Sequence, residues 1–402
     1  MKPTCIALCL LTGLGCLPAI AGTVPASKRT EGKAGNDLAE MPYWPYGLKV
    51  PNTVPEKLRK GRNTALLVWV APETDRIRAV MFIIINSDSK IFGEHAKLRD
   101  IAAKRGMAIV YMRYRVHYEL SEEGNTKITQ NLLNAIAKET GIAEFRHAPW
   151  ITFGKSASGR YPFRMGWLYP DRTVATINYH AETPTWPVPD WAKLDGQSIL
   201  HVNVNGQSEW GQTWSRHVRP SLLNYRTKAG WLPHQVVAHK VGHGNYRDMH
   251  GSGGWGKPVT DGSVSVQRVW DYLSVFVDKA LQVRLPESGY PTDKPFELRQ
   301  VDPKTGYLIH PRAVEVLLGI EPQVLRKGDD GFLVDPKGEQ GTPALELGKD
   351  EALILPASKV SDEMRRNMFW VVDAQQARAW FQLHNIAERD LPESLQQSAG
   401  DR

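Results

Sequence analysis

The feature that most constrains the fold of this chain is a turn of small residues between an apolar run and a helix-length segment. The run from Pro149 to Phe153 predicts a strand, and residues 157–168 predict a helix that Pro162 is expected to kink. Between them lies Gly-Lys-Ser-Ala-Ser-Gly at positions 154–159. A serine on such a turn stands above the sheet, with backbone N–H groups beside its accessible hydroxyl. The fold must therefore present Ser156 at the carboxyl edge of a buried strand.

Strand-like and helix-like segments alternate on both sides of this turn. Residues 79–85 are apolar throughout, as is typical of a strand that helices cover on both faces. The alternation predicts an α/β fold with a doubly wound, mostly parallel sheet, whose functional residues lie at the carboxyl ends of the strands. The predicted strands are 66–70, 79–85, 107–111, 149–153, 174–179, 198–204 and 235–239, and the predicted helices are 93–105, 128–138, 157–168, 214–228 and 266–280.

The sequence changes character from about Gln282 onward, where a proline-containing connection at 286–295 leads into short segments separated by turn signals. Segments such as 332–334 and 368–372 are too apolar to stay solvated. We therefore expect residues 41–281 to form the main α/β domain. Residues 282–402 are expected to form an appended C-terminal region of mixed short strands and helices that packs on that domain.

The first residues of the chain show the pattern of a secretory signal peptide. Lys2 precedes an apolar stretch that ends in Ala19-Ile20-Ala21, so residues 1–21 are predicted to be a cleaved signal rather than a membrane span. A lipid-anchored alternative would use Cys16, but the residues before it match that pattern poorly. Residues 22–40 are small and polar and are expected to be flexible. We therefore expect a secreted or periplasmic protein without stable membrane insertion.

Cysteine content and charge exclude several classes of protein. All three cysteines lie within residues 1–21, so the rest of the chain can form no disulfide. The formal net charge of +7 is mild for 402 residues and the basic residues are scattered, which argues against nucleic-acid binding. The sequence has no H-E-x-x-H motif and no clustered Asp/His spacing, so we expect no metal and no other cofactor. Nothing in the sequence indicates an obligate protein partner.

Two further polar residues follow later strands of the predicted sheet. Glu209 comes after the strand 198–204, and His243 follows the last strand between two glycines. A serine hydroxyl becomes a strong nucleophile when a base removes its proton, and a carboxylate holds that base in the right tautomer. The order Ser156, Glu209, His243 leaves room for a strand and a helix between each pair. The sequence therefore favours a Ser-Glu-His catalytic triad.

Other residues compete for these roles. Glu182 follows the preceding strand and is the rival acid. Gly-Lys-Ser also ends like a phosphate-binding loop, but that motif needs a glycine where Pro149 stands. Only His243 has a glycine-flanked loop, whereas histidines in strands and helices usually have structural roles. The competing histidines are His180, His201, His239 and His250.

These motifs resemble those of the α/β-hydrolase superfamily, over residues 63–280. The resemblance rests on the turn at 154–158, on Gly206-Gln207-Ser208-Glu209 after a strand, and on Gly242-His243-Gly244 after the last strand. It implies that residues 41–281 are a catalytic domain with Ser156 as nucleophile, Glu209 as acid and His243 as base. The chain departs from the family pattern in having Ser158 where a glycine is usual, and glutamate where aspartate is the commoner acid.

The resemblance also implies an oxyanion hole made of two backbone N–H groups. The family places one of them on the residue after the nucleophile, which is Ala157 here. The second would come from the loop after the strand 79–85, and we assign it to Ser87, with Asn86 as the alternative. This loop lacks the glycine-rich pattern of many family members.

Aromatic residues are frequent in the loops that would surround the site, in a chain with 13 tryptophans. Any single tryptophan is more often packed in the core. Together, however, they indicate an aromatic platform of the kind on which sugars and aromatic acids stack. The predicted substrate-binding residues are Trp186, Trp210, Trp214 and Tyr246. Lys155 and Arg160 flank the serine and would either favour an anionic acyl group or point to solvent.

Taken with the signal peptide, the resemblance implies a secreted serine hydrolase that cleaves carboxylic esters through an acyl-enzyme. The expected substrate is a small-molecule or polysaccharide ester, with carbohydrate or aromatic-acid esters favoured by the aromatic loops. Two alternatives stay open. One is a serine peptidase of prolyl-oligopeptidase type, which the absence of a repeat-built segment before the domain disfavours. The other is a catalytically inactive, carbohydrate-binding relative of the hydrolases.

Overall fold

The largest element of the fold is an eight-stranded sheet. The computed structural model describes residues 44–50, 64–72, 74–84, 88–113, 122–181, 188–194, 198–249, 259–319, 353–384 and 395. The strands of the large sheet are β1 (Tyr46–Val50), β2 (Thr64–Trp69), β3 (Ala79–Ile84), β4 (Met107–Met112), β5 (Trp150–Ser156), β6 (Thr173–Ala181), β7 (Leu200–Gly206) and β8 (Leu232–Ala238).

The strands of this sheet lie in the order β1-β2-β4-β3-β5-β6-β7-β8. β2 runs antiparallel to its neighbours β1 and β4, and the other neighbouring pairs are parallel. Parallel neighbours require crossover connections, which the intervening helices supply. The predicted doubly wound, mostly parallel sheet is confirmed, and it places the end of β5, with Ser156, in the interior of the sheet.

The helices of the main domain differ from the sequence prediction at two places. The predicted helix 93–105 is split, because His95 has an extended backbone with ψ of 124°. The predicted helix 214–228 begins with a π-helical turn at Trp214–Val218. Among the described residues, none of the helices is long and apolar enough to cross a membrane. The helices are α1 (Ser89–Gly93), α2 (Ala96–Arg105), α3 (Glu122–Thr140), α4 (Arg160–Leu168), α5 (Arg219–Lys228) and α6 (Val266–Arg284), with a 3₁₀ turn at Ala143–Arg146.

Pro220 lies at the start of α5, next to the π-helical turn that precedes this helix. Pro162 lies in the first turn of α4, where it removes no hydrogen bond. First-turn N–H groups have no partner within a helix, so a proline ring is tolerated there. The kink predicted at Pro162 was wrong, because α4 begins only at Arg160 and has no earlier turn for the ring to disturb.

The strands are apolar because helices cover both faces of the sheet. Every residue of β3 is buried, and its side chains alternate between two hydrophobic clusters. Met81 and Ile83 belong to the cluster under α1, α2 and α6, whereas Phe82 and Ile84 belong to the cluster under α3 and α4. A one-residue shift of this strand would exchange the two sets, so its register is firmly specified.

The C-terminal region adds a three-stranded antiparallel sheet, in the order β10-β9-β11, and short helices. The predicted appended region of mixed short strands and helices is thereby confirmed, although the apolar segment 332–334 lies outside the described residues. Its elements are β9 (Tyr307–Ile309), α7 (Ala313–Leu318), β10 (Ile354–Pro356), α8 (Asp362–Arg366), β11 (Phe369–Val371) and α9 (Ala374–Leu383), with a 3₁₀ turn at Ala357–Lys359.

This region covers β8, the strand at one edge of the large sheet. Trp380 Nε1 donates to the Gln235 carbonyl oxygen at 2.7 Å, and the Val237 N–H donates to His384 Nε2 at 3.4 Å. Trp370 and Trp380 share one hydrophobic cluster with the apolar residues of β8. Side chains at the end of α9 thus take up hydrogen bonds that another strand would otherwise make, which protects the edge from pairing with other chains.

His384 gives this edge contact a dependence on pH. Burial lowers the pKa of His384 from 6.5 to about 4, against the opposing effect of its hydrogen bond to the Trp380 carbonyl. Because the folded-state pKa is depressed, the unfolded chain binds the proton first as the pH falls. The stability contributed by neutral His384 is therefore lost between pH 6.5 and pH 4.

We expect the free energy of unfolding to fall more steeply with decreasing pH in the wild type than in His384→Gln. The difference between the two slopes should reach about 1.4 kcal/mol per pH unit, the value for one proton. Glutamine retains an acceptor for the Val237 N–H, so the two proteins should have similar stability near neutral pH. Urea denaturation in steps from pH 6.5 to pH 4 measures both slopes. Parallel curves would show that His384 is not the group that titrates.

Candidate active site

Ser156 ends β5 with a backbone φ of 51°, in the left-handed region that non-glycine residues seldom occupy. Two backbone hydrogen bonds close the turn after it. The Ser158 N–H donates to the Lys155 carbonyl at 2.9 Å, and the Gly159 N–H donates to the Ser156 carbonyl at 2.8 Å. α4 begins at the next residue, Arg160. The strand therefore ends in a strained turn that presents Ser156 at the carboxyl edge of the sheet.

Two glycines allow this turn to lie against its neighbours. A methyl group on Gly154 would lie 2.2 Å from the Ser158 carbonyl oxygen, and one on Gly159 would lie 2.1 Å from the Ala181 Cβ in β6. Ser158, at the position where the family motif usually has glycine, is fully buried. The close approach that requires a glycine falls one residue later, at Gly159, which accounts for the departure from the motif.

The structure brings Ser156, Glu209 and His243 together, although they lie far apart in the sequence. Ser156 Oγ lies 2.9 Å from His243 Nε2, and His243 Nδ1 lies 2.5 Å from Glu209 Oε1. Glu209 is fully buried, whereas the His243 side chain is 33% exposed. The three side chains form a continuous hydrogen-bonded chain from a buried carboxylate to the serine hydroxyl.

The loop that carries Glu209 touches the loop that carries His243 at a glycine. Gly206 ends β7, and a methyl group there would lie 2.1 Å from the Gly242 carbonyl oxygen. The Ser208 N–H donates to the Val241 carbonyl at 3.2 Å, which joins the same two loops. This backbone contact sets the distance between Glu209 and His243.

Several N–H groups converge on the Glu209 carboxylate. His180 Nδ1 lies 3.0 Å from Oε2, the Gly206 N–H donates to the same oxygen at 2.8 Å, and Asn205 Nδ2 lies 3.4 Å from it. Burial alone would raise the pKa of the Glu209 carboxyl, but the hydrogen bonds from His180, His243 and Gly206 outweigh burial and bring the pKa to about 2. Glu209 is therefore ionised near neutral pH and can stabilise a positive charge on His243.

His180 is also a member of this cluster, although its position in a strand predicts only a structural role. It is fully buried near the end of β6, with Nδ1 against Glu209 and with Nε2 2.7 Å from the Tyr246 hydroxyl. One signal could have found it. His180 stands at the carboxyl end of a strand between β5 and β7, which is the edge where the site was expected.

The structure contradicts two of the four aromatic residues predicted to bind substrate. Trp214 is fully buried, and its Nε1 donates to the Gln207 carbonyl at 3.0 Å. Tyr246 is also buried, with its hydroxyl bonded to His180 and its ring stacked on Tyr179 at 6.4 Å between centroids. Both predictions were wrong, because these rings pack in the interior and offer no surface to a ligand.

Trp210 lies at the mouth of the site. Its side chain is 53% exposed, and its ring lies 4.5 Å from the His243 ring between centroids. Its role in substrate binding remains a prediction. Ala157, directly after Ser156, is exposed. The site candidates and rivals that lie outside the described residues are Asn86, Ser87, Glu182, Trp186 and His250.

Lys155 neither faces an acyl group nor points to solvent, contrary to the sequence-based expectation. Its ammonium group is buried, is ion-paired with Asp88, and lies 5.8 Å from the centre of the Tyr179 ring. Asp88 is the N-cap of α1, just after the loop that follows β3. Lys155 therefore ties the serine turn to that loop, while Arg160 is exposed at the start of α4.

The arrangement can support nucleophilic chemistry. As Ser156 Oγ attacks an electrophilic carbon, its proton can move to His243 Nε2, and the ionised Glu209 stabilises the imidazolium that forms. Within the part of the chain that the structure describes, no group of three or more His, Cys, Asp or Glu side chains is placed to hold a metal ion.

We expect Gly206→Ala to destabilise the protein by roughly 1–3 kcal/mol, the range typical of overpacked sites, because its methyl group meets backbone atoms. Gly242→Ala is the matched control, since its methyl group would come no closer than 3.7 Å to Ser208 Oγ. Thermal unfolding of both variants measures the effect. A Gly206→Ala protein that melts with the wild type would rule out the tight contact between the two loops.

Comparison with known proteins gives only distant likenesses. No protein-family model matches the chain, and no curated protein matches it. An α/β-hydrolase candidate of unknown function from Agrobacterium tumefaciens is 12% identical, with 60% of this chain and 99% of that chain covered and a TM-score of 0.38. An α/β hydrolase from a Medee basin deep-sea metagenome library is 15% identical, with 55% and 93% covered and a TM-score of 0.38.

A poly(3-hydroxybutyrate) depolymerase from Bordetella parapertussis is 12% identical, with 58% of this chain and 89% of that chain covered and a TM-score of 0.36. The strand order β1-β2-β4-β3-β5-β6-β7-β8 with β2 antiparallel, and the serine turn between β5 and α4, give this chain the α/β-hydrolase fold.

Proposed function

We propose that this protein is a serine hydrolase that cleaves carboxylic esters through an acyl-enzyme. The proposal rests on one observation, the hydrogen-bonded chain in which Ser156 Oγ lies 2.9 Å from His243 Nε2, and His243 Nδ1 lies 2.5 Å from Glu209. The left-handed backbone of Ser156 and the full burial of Glu209 support it further. A serine held in this way, with a base and an ionised carboxylate behind it, meets the requirements of an activated nucleophile.

In the proposed acylation step, Ser156 Oγ bonds to the ester carbonyl carbon as its proton passes to His243 Nε2. Glu209 accepts the hydrogen bond from Nδ1 and stabilises the imidazolium. When the tetrahedral intermediate collapses, His243 returns the proton to the leaving alcohol and the C–O bond breaks. A water molecule, activated by His243 in the same way, then hydrolyses the acyl-enzyme and regenerates Ser156.

The tetrahedral intermediate carries negative charge on the former carbonyl oxygen, and backbone N–H groups must stabilise it. We assign these donors to the N–H groups of Ala157 and Ser87. Ala157 directly follows the proposed nucleophile and is itself exposed. The ion pair between Lys155 and Asp88 supports the second assignment, because it anchors the residue after Ser87 to the serine turn.

For the substrate, we propose a small-molecule or polysaccharide ester with a sugar or an aromatic acid as one part. The exposed ring of Trp210, 4.5 Å from the His243 ring, is placed to stack on such a group, and Trp186 is proposed as a second contact. The signal-peptide pattern in residues 1–21 supports a secreted or periplasmic location.

Ser156→Ala tests the nucleophile. We expect it to lower hydrolysis of a short p-nitrophenyl ester by at least about 10³-fold, because the residual activity without a nucleophile comes only from binding and the oxyanion hole. Ser274→Ala is the control, since this buried serine lies in α6 and its hydroxyl bonds to the Trp270 carbonyl. Wild-type turnover by folded Ser156→Ala would refute the assignment.

A fluorophosphonate probe, read by mass spectrometry, tests the same proposal without a chosen substrate. We expect a covalent adduct on Ser156 in the wild type and none in Ser156→Ala. Folded wild-type protein that stays unlabelled would indicate an inactive, carbohydrate-binding relative. Faster cleavage of a peptide than of the matched ester would indicate a peptidase of prolyl-oligopeptidase type.

Glu209→Ala tests the acid against its rival. We expect kcat to fall by as much as about 10⁴-fold, because His243 then lacks the partner that sets its tautomer. Glu182→Ala should change kcat far less. Glu209→Gln retains the side-chain volume and separates loss of charge from loss of packing, with circular dichroism as the check on folding. Equal losses in Glu182→Ala and Glu209→Ala would move the role to Glu182.

A further inference from the structure

His180 lies against the second oxygen of the Glu209 carboxylate, and the reaction described above does not use it. Its ring is fully buried, with Nδ1 3.0 Å from Glu209 Oε2 and Nε2 2.7 Å from the Tyr246 hydroxyl. We propose that His180 is a positioning residue that holds Glu209 by Oε2, so that Oε1 is aimed at His243. The catalytic meaning of this contact rests on the proposed function.

The backbone of β6 is distorted at His180. Lys155 pairs with Tyr179, but the next residue of β5, Ser156, pairs with Ala181, so His180 is an extra residue in the strand. Its φ of 45° lies in the left-handed region. Such a bulge re-aims a side chain, and strain of this kind persists where the surrounding contacts hold it in place. The strand is therefore shaped to turn this imidazole towards Glu209.

The two ring nitrogens of His180 have different partners, and these determine where the proton lies. An ionised carboxylate can only accept, so Nδ1 carries a proton and donates it to Glu209 Oε2. Nε2 can then accept from the Tyr246 hydroxyl. Tyr246 is buried and stacked on Tyr179, which keeps its hydroxyl in place. The imidazole is thus fixed at both ends.

This arrangement gives each oxygen of Glu209 its own imidazole partner. Oε1 accepts from His243, and Oε2 accepts from His180 and the Gly206 N–H. A carboxylate held at both oxygens cannot rotate about its last side-chain bond without breaking several charge-assisted hydrogen bonds. Glu209 therefore keeps a single orientation towards His243 throughout the proton transfers.

His180 is not a second general base. Its Nε2 is bonded to Tyr246, whereas Ser156 Oγ is bonded to His243 Nε2. The two imidazole rings lie 6.3 Å apart between centroids, with the Glu209 carboxylate accepting from both. His180 acts on the reaction only through Glu209.

Other titratable and charged groups also surround this cluster. Tyr179 of β6 and Tyr246 face His180, and Lys155, which is paired with Asp88, lies 5.8 Å from the centre of the Tyr179 ring. Asp248, in the loop after β8, accepts a hydrogen bond from the Val266 N–H at 3.0 Å. A substitution of His180 leaves all of these side chains in the protein, so a change in pH dependence can be assigned to His180.

A pair of substitutions separates the hydrogen bond from the packing. His180→Asn retains an N–H donor close to the position of Nδ1, and asparagine tolerates a left-handed backbone. His180→Leu fills similar space without a donor. We expect His180→Leu to lower kcat on the order of 10- to 100-fold, the range seen when the partner behind a metal-bound histidine is removed, with little change in KM. His180→Asn should retain most of kcat.

The pH–rate profile provides a readout that a purely structural role would not move. Without the His180 donor, Glu209 shares its charge with fewer N–H groups and attracts a proton on His243 more strongly. The acid limb of the kcat/KM profile should therefore move to higher pH in His180→Leu and stay in place in His180→Asn. An unmoved acid limb in folded His180→Leu, or equal losses of kcat in the two variants, would overturn the proposal.

Nuclear magnetic resonance of ¹⁵N-histidine-labelled protein tests the contact without turnover. We expect the His180 Nδ1 proton to be protected from exchange with water in the wild type and in Ser156→Ala, and to become exposed to exchange in Glu209→Ala. Tyr246→Phe, which removes one hydroxyl, should leave the fold intact and speed the exchange. A His180 that carries its only proton on Nε2 would disprove the inference, even if the protein proves to have no esterase activity. Absence of ester turnover, while His180 carries its proton on Nδ1, would instead reject the proposed function alone.

Discussion

The rest of the site depends on one electrostatic requirement, that a negative charge be held inside the core at Glu209. A buried carboxylate is stable only if N–H groups replace the water it has lost, and here they come from β6, from β7 and from the loop after β8. Several features meet this requirement. The bulge turns His180 inward, and Gly206 allows the two loops to touch. Ser156 is the last side chain of this hydrogen-bonded series. The position of its partner His243 depends on the contact between His243 and the Glu209 carboxylate.

Much of this fold could be predicted from the sequence, because the relevant signals are local. Apolar runs such as 79–84 identify strands buried on both faces, and small residues around Ser156 identify the turn. The candidate residues Ser156, Glu209 and His243 could be named because each follows a strand at the same edge of the sheet.

The direction of a side chain was not predictable in this way. Trp214 and Tyr246 follow strands of the same sheet as Trp210 does, yet they pack inward. His180 faces Glu209 because of a bulge, and a bulge is set by the pairing of two strands rather than by one of them.

The C-terminal region extends the same core instead of adding a separate one. Its apolar residues join the cluster that lines one face of the large sheet, and the ion pairs of Arg219 with Glu315 and of Lys279 with Asp373 connect it to α5 and α6. The contacts to β8 explain why a parallel sheet can end there without a further strand, since Trp380 and His384 bond to its backbone. This region lies against the strand that leads to the loop of His243.

The buried pair of Lys155 and Asp88 has an evolutionary consequence. The two residues are 67 positions apart in the sequence, and both side chains are almost fully enclosed. Loss of either one alone would break a buried ion pair, at a cost of about 3–5 kcal/mol. A change at one of these positions is therefore better tolerated together with a change at the other. Aligned relatives should carry a basic residue before the serine and an acidic residue after the β3 loop as a linked pair, inherited or lost as a unit.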